Sequence, residues 1–278
     1  MKTAPMAIEL LEGMTESDST ALKRAVQLLE HPSLAVRLAN VVGKPIELVG
    51  YALPAFVSRF IAIATSNAIK RALRVALRTL SIAPHAESEQ IHKALVAATG
   101  AAGGAFGIAS LPIELPVSTT LMLRSIADIA RSEGEDLTSS EARLACVQVF
   151  ALGGRSDSAD ASESGYFAVR GILAKSVTEA ARYIANRSLA EEGSPVLVRF
   201  IALVASRFGV VVTEKVAAQA VPVIGALGGA AVNYVFVEHF QDVARGHFIV
   251  RRLERTYGKD LVRRQYDRLA VRKPKTVG

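Results

Sequence analysis

The sequence predicts an all-α protein, a multi-helix bundle built around two related glycine-rich apolar hairpins, each followed by an amphipathic helix. Three observations carry this. Half of the 278 residues are apolar, and most of that apolar content is Ala, Val, Leu and Ile in runs that favour helix. No stretch sustains the period-two alternation of a half-buried strand. The glycines fall in two segments that match each other along the chain.

Residues 1–20 read as an acidic N-terminal arm, with Glu9, Glu12, Glu16 and Asp18 and no apolar run of signal-peptide length. Residues 21–272 read as a single helical domain, and 273–278 as a basic tail. The first helix runs from Ala21 to Glu30, with Leu22, Val26 and Leu29 on one face, and Pro32 stops it. A short helix follows, then a weak apolar segment between Pro45 and Pro54. A long helix covers Val57 to Leu80, where Lys70, Arg74 and Arg78 share a face beside the apolar stripe Ile69, Leu73 and Leu77. Such a row is either a solvated flank or a membrane-surface face.

Twenty residues between Lys93 and Glu114 carry no charge and include Gly100, Gly103, Gly104 and Gly107. Pro112 and Pro116 flank Glu114, so the next helix is placed at Ser118–Ser132, capped by Gly134. Thr138 with Glu141 reads as a capping box opening the helix through Cys146 to Leu152. Cys146, among Leu144, Val147 and Phe150, reads as a core thiol, and a reducing cytoplasmic setting follows from its being the sole cysteine. Gly153–Gly165 is a loop. Helices over Tyr166–Ala190 and Leu197–Val216 lead to a second uncharged run, Val216–Val237, holding Gly225, Gly228, Gly229 and Asn233. A long helix from Asn233 to Tyr257 ends at Gly258, and a basic helix covers Asp260–Val271.

The internal repeat spans about 100–137 and 225–261. Gly100, Gly103 and Gly104 fall on Gly225, Gly228 and Gly229, Glu114 falls on Glu238, and Gly134–Leu137 falls on Gly258–Leu261, with twenty residues from carboxylate to capping glycine in both copies. Glycines four apart let helix backbones approach closely. The Ala, Gly, Gln219, Asn233 and proline content makes both runs poor membrane spans, so a buried or peripherally inserted hairpin is expected.

Several segments resemble the EcsC family of bacterial proteins, named for a gene of an ABC-transporter operon. They are VPVIGALGG ending at Gly229 with Asn233, ARGHFIVRRLERTYG over Ala244–Gly258, and ESGYFAVR over Glu163–Arg170. GAAGGAFG over Gly100–Gly107, Glu114–Leu115–Pro116 and Arg124–Ser125–Ile126 are also similar to it. Many members carry aspartate where this chain has Glu114. The resemblance implies no defined reaction, and its link to transport or secretion belongs to some members only.

The glycine runs fit no phosphate-binding pattern, no serine sits in GxSxG, and no nucleic-acid motif accompanies the formal charge of +7, so nucleic acid has the weakest support as a partner. His239 and His247 are eight residues apart, about two turns, which offers no two-histidine metal site, and no cofactor or metal is expected. Glu114, Arg124, Asn233, Glu238, His239, Asp242, Arg245 and His247 form the candidate polar cluster. One reading makes Glu238, Asp242, Arg245 and Arg252 an ion-pair ladder on one helix face. The sharper one has Glu114 and Glu238 meet at the repeat axis, neutralised by Arg124, Arg245 or Arg252 or poised for acid–base work.

Lys70, Arg74 and Arg78, with Arg251, Arg252, Arg255, Arg263, Arg264 and Arg268, are the candidate lipid-binding cations. The leading functional expectation is a non-catalytic accessory or scaffold protein, cytoplasmic and peripheral to the inner face of an anionic membrane, with a protein or transporter component as a further candidate partner. The alternative is a soluble hydrolase acting on lipid or peptide at the repeat interface. The segment after Gly258 is expected to be dispensable for folding.

Overall fold

The computed structural model describes residues 13–30, 34–42, 54–80, 110–154, 165–186, 194–219 and 225–271. Among them are nine helices and no strand: α1 Glu16–Leu29, α2 Leu34–Val42, α3 Ala55–Thr79, α4 Leu111–Ser132, α5 Ser140–Leu152, α6 Gly165–Asn186, α7 Pro195–Gln219, α8 Gly225–Tyr257 and α9 Lys259–Val271. The all-α expectation holds. Gly100, Gly103, Gly104 and Gly107, and with them the first glycine hairpin, lie outside the described residues. So do most of the arm before α1, the loop residues 155–164, Pro222 and the basic tail.

The helix starts are where sequence and structure differ. Helix α1 begins at Glu16, inside the expected acidic arm, because Thr15 caps it through the Asp18 amide while Glu16 and Asp18 complement the first-turn dipole. Helix α4 begins at Leu111, seven residues before the expected Ser118. Pro112 sits in the first turn, where no N–H is needed, and Pro116 forfeits a single intrahelical bond. Ser139, not Thr138, caps α5; Thr138 instead donates its amide and hydroxyl to Asp136.

Helix α5 is the axis of the bundle. From Leu144 to Leu152 every residue is buried, and α3, α4, α6, α7 and α8 all pack on it. A helix apolar on every side has little amphipathic period and belongs in a core. Phe150 of α5 meets Phe208 of α7 and Phe240 of α8 at ring-centroid distances of 5.1 and 5.4 Å. Phe236 joins Phe240 at 5.2 Å in an edge-on contact. Cys146 is buried here, and burial pushes its thiol up to about 12, so the core-thiol reading stands.

Both repeat copies end on a left-handed glycine, Gly134 at φ 76° and Gly258 at φ 83°. The first closes as a Schellman turn, with the Glu135 amide on the Ala130 carbonyl and the Gly134 amide on Arg131. The second makes the simpler bond from the Gly258 amide to the Glu254 carbonyl, because α9 restarts at once.

The bundle has two chemically different ends. Arg131 donates to the Leu80 carbonyl at 2.6 Å and Arg143 to Leu77 at 2.8 Å, which sets the C-terminal ends of α3 and α4 side by side. Arg251 of α8 reaches Glu135, just past the end of α4. Lys215, near the end of α7, reaches Glu114 in the first turn of α4. So α3, α4 and α8 run one way and α7 the other. One end gathers the beginnings of α3, α4 and α8 with the end of α7, where both uncharged runs lead in or out; the other gathers the two capping glycines.

Helix α7 is the one helix, among the described residues, long and apolar enough to cross a membrane, with mean hydropathy 2.0. It packs against α2, α3, α5, α6 and α8 and carries the buried Lys215, and 44% of its apolar window is buried.

Candidate functional site

At the end of the bundle marked by Gly134 and Gly258, a cleft of about 400 Å³ opens between the α4–α5 turn, α6 and the end of α8. Its lining is mostly charged. Arg170 of α6 faces Glu254 of α8 in a two-pronged pair at 2.8 and 2.6 Å. Arg251 of α8 grips Glu135 through two bonds at 2.8 and 3.0 Å, and Arg255, one turn on, also donates to Glu135. Arg255 further donates to the Glu133 carbonyl at 2.6 Å.

Local sequence dictates this placement. Arg251, Glu254 and Arg255 lie three and four apart at the end of one helix, so they project together. The Schellman turn after α4 brings Glu135 beneath them. Its side chain is only 4% exposed, yet the charge persists: burial pushes its carboxyl up, and Arg251 with Arg255 outweighs that and holds it below the usual carboxylate range. Burial likewise opposes the charge on Arg251, and Glu135 prevails and raises it.

Behind the Arg170–Glu254 pair lies a buried polar relay. Arg170 donates to the Tyr166 oxygen at 3.4 Å, and the Tyr166 hydroxyl meets His247 Nδ1 at 2.8 Å. Burial, then the nearby Arg170 and Arg251 charges, hold His247 well below the ordinary histidine range, so the ring is neutral. Burial also pushes the Tyr166 hydroxyl up to about 12. The Tyr166 hydroxyl and His247 Nδ1 share one proton across this bond, and His247 Nε2 is a buried group with no hydrogen-bond partner among the described residues.

The cleft and relay thus collect Tyr166 and Arg170 from ESGYFAVR, His247, Arg251, Glu254 and Arg255 from ARGHFIVRRLERTYG, and Glu135 from the first repeat's glycine cap. The model of the EcsC protein family matches residues 21–253, most of the chain. The chain belongs to that family. No curated protein and no solved structure matches it. Two of the EcsC-like segments, ESGYFAVR and ARGHFIVRRLERTYG, therefore meet at one end of this bundle, whereas Glu114 and Leu115 lie at the other.

The remaining candidates divide differently from expectation. Glu114 and Glu238 do not form the repeat-axis pair. Glu114 is held by Lys215 at 2.6 Å, both buried, with the ammonium 4.8 Å from the Phe236 ring. Glu238 is held by Arg37 of α2 at 2.6 Å, and the same guanidinium reaches Asp242 at 3.2 Å. The ladder forms in part: Asp242 bonds Arg245 at 2.9 Å, whereas Arg252 turns to Asp18 and Glu133, both at 2.8 Å. Arg124 is exposed, and Asn233 is buried in α8. His239 bonds the Gly153 carbonyl at 3.0 Å and pins the end of α5, while His247 faces Tyr166, so the two histidines serve separate places.

Of the close-packing glycines, Gly225, Gly228 and Gly229 lie in the first two turns of α8. Close approaches among the described residues also occur at other glycines: a Cβ would run into the Arg207 carbonyl oxygen on Gly154, meet the Phe240 ring at 2.5 Å on Gly153, and meet Leu29 at 2.6 Å on Gly246, where α1 crosses α8. Among the lipid-binding candidates, Lys70, Arg74 and Arg78 are exposed on α3. Arg251, Arg252 and Arg255 are engaged by carboxylates. Arg263 lies 3.8 Å from Asp267 and 5.4 Å from the Phe167 ring, and Arg264 and Arg268 are exposed. Helix α9 is not detachable as expected. It buries Val262, Gln265 and Tyr266, and Tyr266 bonds Glu30 at 2.9 Å, so removing the segment after Gly258 strips core.

Residues missed by sequence reasoning include Lys215, Arg37, Glu135, Tyr166, Arg170 and Glu254. For Lys215 a signal existed. It borders the second uncharged run as Glu114 borders the first, and a charge adjoining an apolar run must find a partner when buried.

Proposed function

We propose that this EcsC protein acts at an anionic membrane surface as a non-catalytic accessory or scaffold protein, peripheral to the cytoplasmic face. The observation that supports it is a group of exposed apolar side chains beside a carboxylate-free basic helix; Ile172 of α6 and Val198 of α7, 58% and 50% exposed, lie toward the other end. Phe56 and Ile63 of α3 are 74% and 57% exposed, and Ile113 of α4 is 77% exposed, all in the halves of those helices nearest the glycine runs. Val117 and Tyr234 are exposed at the same end. Helix α3 contains no Asp or Glu, and its Arg59, Lys70, Arg71, Arg74 and Arg78 are all exposed. Apolar side chains at a tip with cations along the adjoining flank suit a surface that offers both acyl chains and anionic headgroups. Fully burying one large apolar side chain contributes about 1.5–3 kcal/mol.

A transporter component seated in that membrane is the protein partner compatible with this reading. Glu114 and Glu238, each bound to a cation rather than to one another, do not supply a hydrolase with paired carboxylates. The test is co-sedimentation of the folded full chain with vesicles of anionic or neutral phospholipid. Binding to anionic vesicles that weakens with salt supports the proposal; equal indifference to both at low salt overturns it.

A further inference from the structure

The charged cleft holds more hydrogen-bonding capacity than its own ion pairs consume. Four cations and four carboxylates line it, so its net charge is zero. Two pairs close on themselves and form rigid walls: Arg170 with Glu254, and Arg251 with Glu135. Because Arg255 also donates to Glu135, one carboxylate there answers two guanidiniums, and the α8 side keeps a positive excess. Lys259, the first residue of α9, adds to it. It is exposed and forms no ion pair or hydrogen bond among the described residues. On the α4–α5 side the excess is negative. Asp136 bonds only the amide and hydroxyl of Thr138, and Glu141 is 64% exposed, with a loose 3.7 Å approach to Arg251.

Charges of both signs therefore line one space: Lys259 and Arg255, the latter already bonded to Glu135 and the Glu133 carbonyl, together with the exposed Asp136 and Glu141. The repeat accounts for part of this. Glu135 and Lys259 are equivalent positions, each following a left-handed glycine, and they carry opposite charge into the same cleft.

We propose that the cleft binds a small zwitterion, its acidic group taken by Lys259 and Arg255 and its ammonium by Asp136 and Glu141. A plain anion would meet the two carboxylates, and a plain cation the two cations, so a neutral cleft with separated charges favours neither. A zwitterion answers both sides at once, and partial removal from water strengthens each contact. A space of about 400 Å³ lies at the small end of small-molecule pockets. The chemistry is an ammonium a few bonds from a carboxylate or phosphate, whether from an amino acid or dipeptide or from an ethanolamine phosphate headgroup. The site lies at the opposite end from the proposed membrane contact and does not depend on it.

The test uses titration calorimetry and thermal unfolding of the full chain with glycylglycine and with phosphoethanolamine. Inorganic phosphate, acetate and ethanolamine serve as the separate halves. Binding of one zwitterion with a raised Tm, and no comparable binding by any half alone, is expected. Glycylglycine alone binding identifies the peptide source, and phosphoethanolamine alone the headgroup. Lys259→Ala and Glu141→Ala alter exposed side chains outside the packed pairs, and each should weaken binding by roughly tenfold or more. Phosphate binding as tightly as phosphoethanolamine, no binding by either zwitterion, or unchanged affinity in both variants would overturn the proposal.

Discussion

Glu114 and Lys215 lie 101 residues apart in sequence and 2.6 Å apart in the fold, with side chains 5% and 0% exposed. The pair joins the start of α4 to the end of α7 at the points where the two uncharged runs meet the bundle. Besides this pair, Glu114 accepts only a long 3.5 Å bond from Ser110 among the described residues and Lys215 lies over the Phe236 ring, so removing one charge leaves the other buried without its counter-charge, at about 3–5 kcal/mol. Lys215→Met should therefore destabilise by that order, and Glu114→Leu in the same chain should recover much of the loss. Urea unfolding of the two singles and the double variant reads the coupling directly. Glu238→Ala provides the contrast. Its pair with Arg37 is partly exposed on both sides, so about 1 kcal/mol or less is expected.

The two capping glycines differ in kind from Gly246. Gly258 adopts φ 83° with open space around it, so Gly258→Ala should cost about 1–2 kcal/mol from backbone conformation alone, and Gly258→Asn less. Gly246 has helical backbone, and its cost is steric. Gly246→Ala must displace Leu29 and loosen α1 from α8, which far-ultraviolet circular dichroism during thermal unfolding should register as a lower Tm.

His247 predicts the pH dependence of stability. Its folded pKa lies well below 6.5, so the unfolded chain binds a proton that the folded one refuses. Stability should then fall as pH drops through about 6.5, by up to ~1.4 kcal/mol per pH unit. Asp18 and Glu135 act lower. Both have depressed pKa values, so their contribution is present above the ordinary carboxylate range and disappears as pH falls through the folded values. A His247→Asn variant should flatten the slope between about pH 5 and 6.5 whatever its absolute stability. An unchanged slope would assign the effect to another group.

What the sequence could show depended on the distance over which the cause acts. Leu22, Val26 and Leu29 announced the buried face of α1, and Gly134 and Gly258 announced two helix ends, because both signals are local. Helix α5 showed its cap region but not its place, since burial on every side erases the amphipathic period. The site was legible only as segments. ESGYFAVR and ARGHFIVRRLERTYG stood out, yet nothing local says that Arg170 will face Glu254, 84 residues away. Glu135 read as part of a cap repeat because its two arginines arrive from the end of another helix.

The basic residues separate by the same logic, and this leads to the last prediction. Arg251, Arg252 and Arg255 were grouped with the other cations by spacing, but carboxylates of the fold engage them. The cations of α3 share their helix with no carboxylate and are exposed. Near an anionic bilayer each contributes about 1 kcal/mol. Charge reversal at Lys70, Arg74 and Arg78 (Lys70→Glu, Arg74→Glu, Arg78→Glu) should therefore weaken co-sedimentation with anionic vesicles by roughly a hundredfold or more, since 1.4 kcal/mol is tenfold. All three sites face outward, so the fold should survive, as an unchanged circular dichroism spectrum would verify. The effect should shrink as added salt shortens the Debye length below about 10 Å. Reversing Arg264 and Arg268 on α9 should matter less, because that helix carries Asp260 and Asp267 beside its arginines and lies toward the opposite end of the bundle from Phe56 and Ile113. If the α9 reversals abolish binding and the α3 reversals leave it intact, the membrane contact belongs to the C-terminal helix.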